Sequence, residues 1–185
     1  MTRLERVTSR VTCFTARNVD TDQIIPARFL KRIDKEGFGD LLFADLKPAE
    51  VMAVPDARKR QVLIAGPNFG CGSSREHAVW AIRDFGFRVL ISTSFADIFK
   101  ENSLKNGVLT IELDETTHQS LVETFKKNPE EQMTVDLEQQ RLQFGVLQAT
   151  FNVNSFSKTC LLEGLDELGF ILRHDPQIAA FEKAH

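Results

Sequence analysis

The chain has 185 residues, 42% of them apolar and 26% charged, with a formal net charge of -3. That balance suits a globular protein able to bury a core without disulfide staples, and its acidic excess speaks against a general nucleic-acid binder. Three cysteines, Cys13, Cys71 and Cys160, stand far apart in sequence and make no disulfide framework, and no run approaches the roughly 20 apolar residues of a membrane span.

The opening stretch, "MTRLERVTSRVTCF", lacks an apolar core of signal-peptide length, so the expectation is a reduced, cytoplasmic, soluble protein. Residues 7–14 alternate as a strand does. "NVDTDQIIPARFL", residues 18–30, is rich in turn formers, and Pro26 interrupts any regular helix. Residues 37–60, punctuated by Gly37, Gly39, Pro48 and Pro55, read as a long, partly helical excursion. "QVLIAG", 61–66, is a short apolar run of buried-strand type. A helix is predicted over 74–85, where Ala78, Ala81, Ile82 and Phe85 share one face and Gly86 ends it. "FRVLIST", 87–93, is the next strand, so a strand–helix–strand unit with parallel strands is expected.

Residues 94–107 read as a helix ending at Gly107, with Ser94 and Asp97 at capping-box spacing. "VLTIEL" is a strand. "ETTHQSLVETFKKN" is a helix for which Asp114 supplies the cap. "MTVDLEQQRLQFGVLQATFNV" predicts two or three antiparallel strands turning near Gln139–Gln140. "SFSKTCLLEGL" is a short helix with Gly164 at its end, and a terminal helix follows with Asp175 as N-cap and Pro176 in first position. The order of elements gives a mixed α/β fold.

"GPNFGCGSSREHAVW", residues 66–80, carries the densest chemistry. Ser73 and Glu76 have the spacing of a capping box, which a purely structural role would explain. Other features point to a ligand. Gly66, Gly70 and Gly72 leave the backbone bare, as close approach requires. A helix start presents unpaired N–H groups and a positive dipole end to an anion. Arg75 stands where that dipole disfavours a cation, which makes sense beside a bound carboxylate or phosphate. The stretch is neither a P-loop, nor a dinucleotide fingerprint, nor a nucleophile elbow. His77 reads as a packed or hydrogen-bonded histidine in preference to a catalytic one. Cys71 is open to a lowered pKa if it lies near the helix N-terminus. No Cys/His ligand pattern surrounds these residues, so no metal site is expected within the chain.

"NVDTDQIIPARFL", "NFGCGSSREHAVWAIRDFGFRVLISTSFADIFKENSLKNGVL" and "CLLEGLDELGFIL" resemble the small subunits of 3-isopropylmalate dehydratase, in the aconitase superfamily, over nearly the whole chain. The resemblance implies one swivel domain over residues 1–185, a layered β/β/α barrel-like fold with a mixed sheet and a C-terminal helical extension. It implies a partner large subunit, in a heterodimer or heterotetramer, carrying a [4Fe-4S] cluster that acts as Lewis acid on a hydroxy-dicarboxylate. No cofactor is implied on this chain. By match to the motif, Ser73 is the catalytic base, Arg75 binds a substrate carboxylate and Ser74 adds a second contact. Asp22 matches an aspartate supporting a histidine of the cluster-bearing part. Phe29 to Arg32 corresponds to the segment that meets the substrate's side group: Leu30 suits an isopropyl group, and Lys31 or Arg32 a carboxylate. The activity implied is isomerisation of 2-isopropylmalate and 3-isopropylmalate by dehydration and rehydration. Two alternatives stay open: a related hydro-lyase acting on homoaconitate, citraconate/methylmalate or dimethylmaleate, and a non-catalytic dicarboxylate-binding module.

Overall fold

The computed structural model describes residues 2–31, 37–46 and 57–184. Seven strands form one mixed sheet: β1 (Arg6–Phe14), β2 (Val62–Ala65), β3 (Val89–Ser92), β4 (Leu109–Glu112), β5 (Gln132–Asp136), β6 (Arg141–Phe144) and β7 (Leu147–Thr150), in spatial order β4-β3-β2-β1-β5-β6-β7. β1 to β4 pair in parallel, while β1 with β5, β5 with β6 and β6 with β7 are antiparallel. This is the mixed α/β architecture that the order of elements and the resemblance implied.

Among the described residues the α-helices are α1 (Thr21–Ile24), α2 (Glu76–Phe85), α3 (Asp97–Lys105), α4 (Glu115–Lys127), α5 (Ser155–Glu163), α6 (Glu167–Leu172) and α7 (Asp175–Ala184). Because strand side chains alternate, the parallel strands feed two cores at once. Leu63, Ala65 and Leu90 join α2 and the segment around α1 on one face. Val62, Ile64, Val89 and Ile91 join Leu121 of α4 and Leu161 of α5 on the other. That is why β2 and β3 are buried at every position and read as unbroken apolar runs. In β5 and β6 only one face is buried, through Met133, Val135, Leu142 and Phe144.

Several boundaries differ from the sequence reading. α2 begins at Glu76, two residues late, because the chain stays extended through Arg75 (φ -137°, ψ 104°). α3 begins at Asp97 after Ala96, with no side chain capping it, so Ser94 is not its cap. The Ser94 hydroxyl instead accepts the Asn68 N–H at 2.9 Å. α7 begins at Asp175 itself; the His174 carbonyl accepts from Gln177 and Ile178, one residue ahead of the expected cap. α6 has no counterpart in the residue-pattern reading, and Asp166 caps it through the Gly169 N–H. The excursion at 37–60 shows short 3-10 turns at Gly39–Leu41 and Ala57–Lys59; its prolines, Pro48 and Pro55, lie outside the described residues. The expected cap at Asp114 forms, and Gly164 ends α5 with a left-handed conformation; Asn154, not singled out from the sequence, caps α5 through the Ser157 N–H.

Candidate active site

Three loops leave the C-terminal ends of the parallel strands β1, β2 and β3 and meet there, the usual place for a site in a parallel sheet. They are tied by backbone bonds. Asn18 N–H donates to Pro67 O at 2.9 Å, Gly70 N–H to Val19 O at 2.8 Å, and Ala96 N–H to Phe69 O at 3.2 Å. Asn68 also donates from its side chain to the Asn18 side chain at 2.9 Å. The motifs at 18–30 and 66–75, far apart in sequence, are therefore one surface.

The loop after β2 takes its shape from two glycines. Gly70 (φ 77°) could not carry a Cβ, which would stand 2.2 Å from the Phe99 ring. Gly72 (φ 87°) makes a second left-handed step. The bare backbone at Gly66 and Gly70 is filled by the protein itself, by the Ala16 carbonyl and the Phe99 ring, and not left for a ligand as the glycine pattern suggested. Past Gly72 the chain runs out to Ser73 and Ser74, both exposed, and then to Arg75.

Ser73 does not cap α2. No side chain caps that helix at Arg75, and Glu76 accepts instead from Asn106 Nδ2 at 2.9 Å. The expected capping box fails because the loop holds Ser73 outside the helix line. What holds it is Thr21: the Thr21 N–H donates to Cys71 O at 2.9 Å, and its hydroxyl donates to Ser73 O at 2.8 Å. Next to Thr21, Asp22 forms an ion pair with Arg75. The Arg75 side chain is 16% exposed and that of Asp22 52%. The hydrogen bond from Arg75 holds the Asp22 carboxyl below the usual carboxylate range.

Ser73, Ser74, Arg75, Thr21, Asp97 and Phe99 line a cleft of 210 Å³. Larger clefts of 770 and 510 Å³ lie against the β5–β7 strands and between α3 and the start of α5. Neither gathers the loop serines and Arg75, so the smaller one is the candidate site. Leu30 and Lys31 are not among its lining residues. Leu30 packs partly against the core and Lys31 is exposed. Arg32 lies outside the described residues.

The neighbours of the loop behave as structural residues. His77 is half-buried, with its ring 4.5 Å from Trp80 and 5.6 Å from Phe38. Burial, helped by the Asp20 carboxylate, pushes the Cys71 thiol up, the reverse of what a nearby helix start would do. Asp20 caps α1, accepting from the Gln23 N–H while the Gln23 side chain accepts from the Asp20 N–H. The residue the sequence did not single out is Thr21. Its partner lies 52 positions away, and only its place beside Asp22 hinted at a role.

Residues 1–116 match the family model of the aconitase C-terminal domain. The 3-isopropylmalate dehydratase small subunit of Roseiflexus castenholzii is 46% identical over 97% of this chain and 92% of its own length. The chain belongs to this family. The small subunit of Herpetosiphon aurantiacus is 51% identical over 91% of the chain and 87% of its own. Among solved structures, a 3-isopropylmalate dehydratase from Methanocaldococcus jannaschii superposes with a TM-score of 0.73 at 24% identity, covering 95% of this chain and 98% of that one. At that identity it shows a shared fold.

Proposed function

We propose that this chain is the small subunit of a 3-isopropylmalate dehydratase, interconverting 2-isopropylmalate and 3-isopropylmalate by dehydration and rehydration in leucine biosynthesis. The observation that supports it most is the convergence of Ser73, Ser74 and the Asp22-paired Arg75 at one open cleft, in a chain of the small-subunit family. Three free cysteines fit the reducing conditions of a cytoplasm.

Ser73 is the base. Its oxygen takes the proton from the carbon beside a substrate carboxylate, the C–H electrons become the double bond, and the hydroxyl on the neighbouring carbon leaves as hydroxide, which takes a proton from solvent to become water. In rehydration the hydroxyl is placed on the carbon that lost the proton, and a proton on the carbon that lost the hydroxyl. A serine alkoxide needs electrostatic help, and the start of α2 and the Arg75 guanidinium lie two to three residues away. Arg75 binds a substrate carboxylate. Asp22 engages it at Nη1, and a guanidinium has five N–H donors in all. Ser74 adds a contact from the cleft's edge, and by resemblance alone Leu30, Lys31 and Arg32 are assigned to the substrate's side group. Asp22 keeps a half-exposed carboxylate through which it supports a histidine of the large subunit.

The residues present do not fit a cluster held by this chain. Cys13, Cys71 and Cys160 sit on β1, the site loop and α5, and among the described residues no group of three His, Cys, Asp or Glu side chains is placed to hold a metal. In this reading the [4Fe-4S] cluster, with its Lewis acidity, belongs to the large subunit. The test is Ser73→Ala in the co-expressed two-subunit protein. Loss of a general base lowers kcat by about 10²–10⁴-fold, and wild-type turnover in a correctly assembled variant removes Ser73 from the chemistry.

A further inference from the structure

We infer that Thr21 is a positioning residue for the reaction, fixing the peptide that carries Ser73; this rests on the reading of Ser73 as the base. Thr21 is 2% exposed, although it lies directly beneath an exposed loop. It makes two bonds to that loop and none of them is a helix bond. Its N–H reaches Cys71 O at 2.9 Å, in line with the bridge between Asp20 and Cys71. Its hydroxyl donates to Ser73 O at 2.8 Å.

The first half of the loop is tied by bonds to Asn18, Val19 and Ser94, whereas Cys71 and Ser73 are tied by Thr21. Gly70 and Gly72 give it two left-handed steps with wide conformational freedom. Ser73 makes no cap bond to α2, and that helix has no side-chain cap at all. The peptide of the base is thus anchored by a side chain from another loop. That side chain is itself fixed, because Asp20 and Gln23 cap α1 reciprocally and Ile24 and Ile25 are fully buried. Asp22 extends the same clamp to Arg75. One four-residue helix therefore sets the spacing between base and carboxylate-binding arginine, and the Thr21 hydroxyl sets the base. The β-branched methyl keeps χ1 stiff, so a hydroxyl on threonine is a better fixed donor than one on serine.

The experiment compares Thr21→Val, Thr21→Ser and Ser73→Ala in the assembled two-subunit protein with 2-isopropylmalate. Thr21→Val keeps the shape and removes the donor. The expected result is kcat lower by about 10–100-fold with KM within about twofold of wild type, since a small misplacement of a reacting group costs rate more than binding. Thr21→Ser restores most of kcat. Amide hydrogen exchange on the isolated chain reads the same clamp without activity: residues 71–75 exchange faster in Thr21→Val than in wild type or Thr21→Ser, while the sheet is unchanged. Wild-type kcat in Thr21→Val beside a dead Ser73→Ala overturns the role of Thr21 and leaves that of Ser73 standing. Full turnover in Ser73→Ala overturns the reading beneath it. If Thr21→Val does not assemble, Thr21→Ser and the exchange measurement decide, and unchanged exchange at 71–75 refutes the clamp.

Discussion

Gly70→Ala tests whether the site loop is shaped by its contact with α3. The methyl would stand 2.2, 2.5 and 2.6 Å from three carbons of the Phe99 ring, and the residue would have to hold φ 77°. Left-handed backbone costs an alanine about 1–2 kcal/mol. Phe99 is 3% exposed and wedged against Phe69 and Phe95, with ring centroids 5.6 and 6.3 Å away, so it has little room to yield. Overpacking of that kind costs about 1–3 kcal/mol. The sum, about 2–5 kcal/mol, is a large part of the roughly 5–15 kcal/mol that holds a domain folded. Urea unfolding of the isolated chain, followed by fluorescence of its single tryptophan, Trp80, gives the answer. With m near the middle of its usual range, about 2 kcal/mol/M, the midpoint falls by about 1–2.5 M at unchanged m. Phe99→Ala in the same chain makes the two changes less than additive, because the clash partner is gone. A midpoint within about 0.3 M of wild type, or full additivity, refutes the account of the loop.

Ser73→Ala changes the thermal stability of the isolated chain by no more than about 0.5 kcal/mol, because no cap bond is lost; a loss near the 1–2 kcal/mol typical of a serine cap contradicts the geometry. Arg75→Lys raises KM for the substrate by about tenfold, since lysine lacks the forked donors for a carboxylate; an unchanged KM counts against that role. Asp22 titrates below an ordinary aspartate by carbon-detected NMR, and Arg75→Ala returns it to the usual range. The sign follows from the depressed folded-state value: the pairing stabilises above the unfolded-state pKa and that contribution fades as pH falls through the folded one. Asp22→Asn therefore makes the acid limb of the stability profile slightly flatter, and a steeper limb refutes the pairing.

The strand–loop–helix–strand unit was readable because β2 and β3 are buried on both faces and α2 on one, which writes burial directly into the residue pattern. The cap at Asp114 was readable for a similar reason: its partner lies three residues on. Ser73 and Glu76 have that spacing too, yet the box does not form. Glu76 is bonded by Asn106, 30 residues ahead, and Ser73 is held by Thr21, 52 residues behind. Local spacing carries no trace of such partners. The glycines of the loop were read as bare backbone for a ligand, but the space at Gly66 and Gly70 is filled by atoms of Ala16 and Phe99. The Asp22–Arg75 pair was invisible for the same reason, since each residue was read against an absent partner and they meet each other. The roles of Ser73, Ser74 and Arg75 came from resemblance, and the fold's contribution is to bring them to one cleft.

The most direct test is anaerobic reconstitution. The isolated chain is mixed with a large subunit loaded with its iron–sulfur cluster, 2-isopropylmalate is added, and the ultraviolet absorbance of the unsaturated intermediate is followed. The account predicts turnover only when both chains are present, with neither active alone. An assembled complex with an intact cluster that leaves 2-isopropylmalate unchanged, or a large subunit that turns it over by itself, contradicts it.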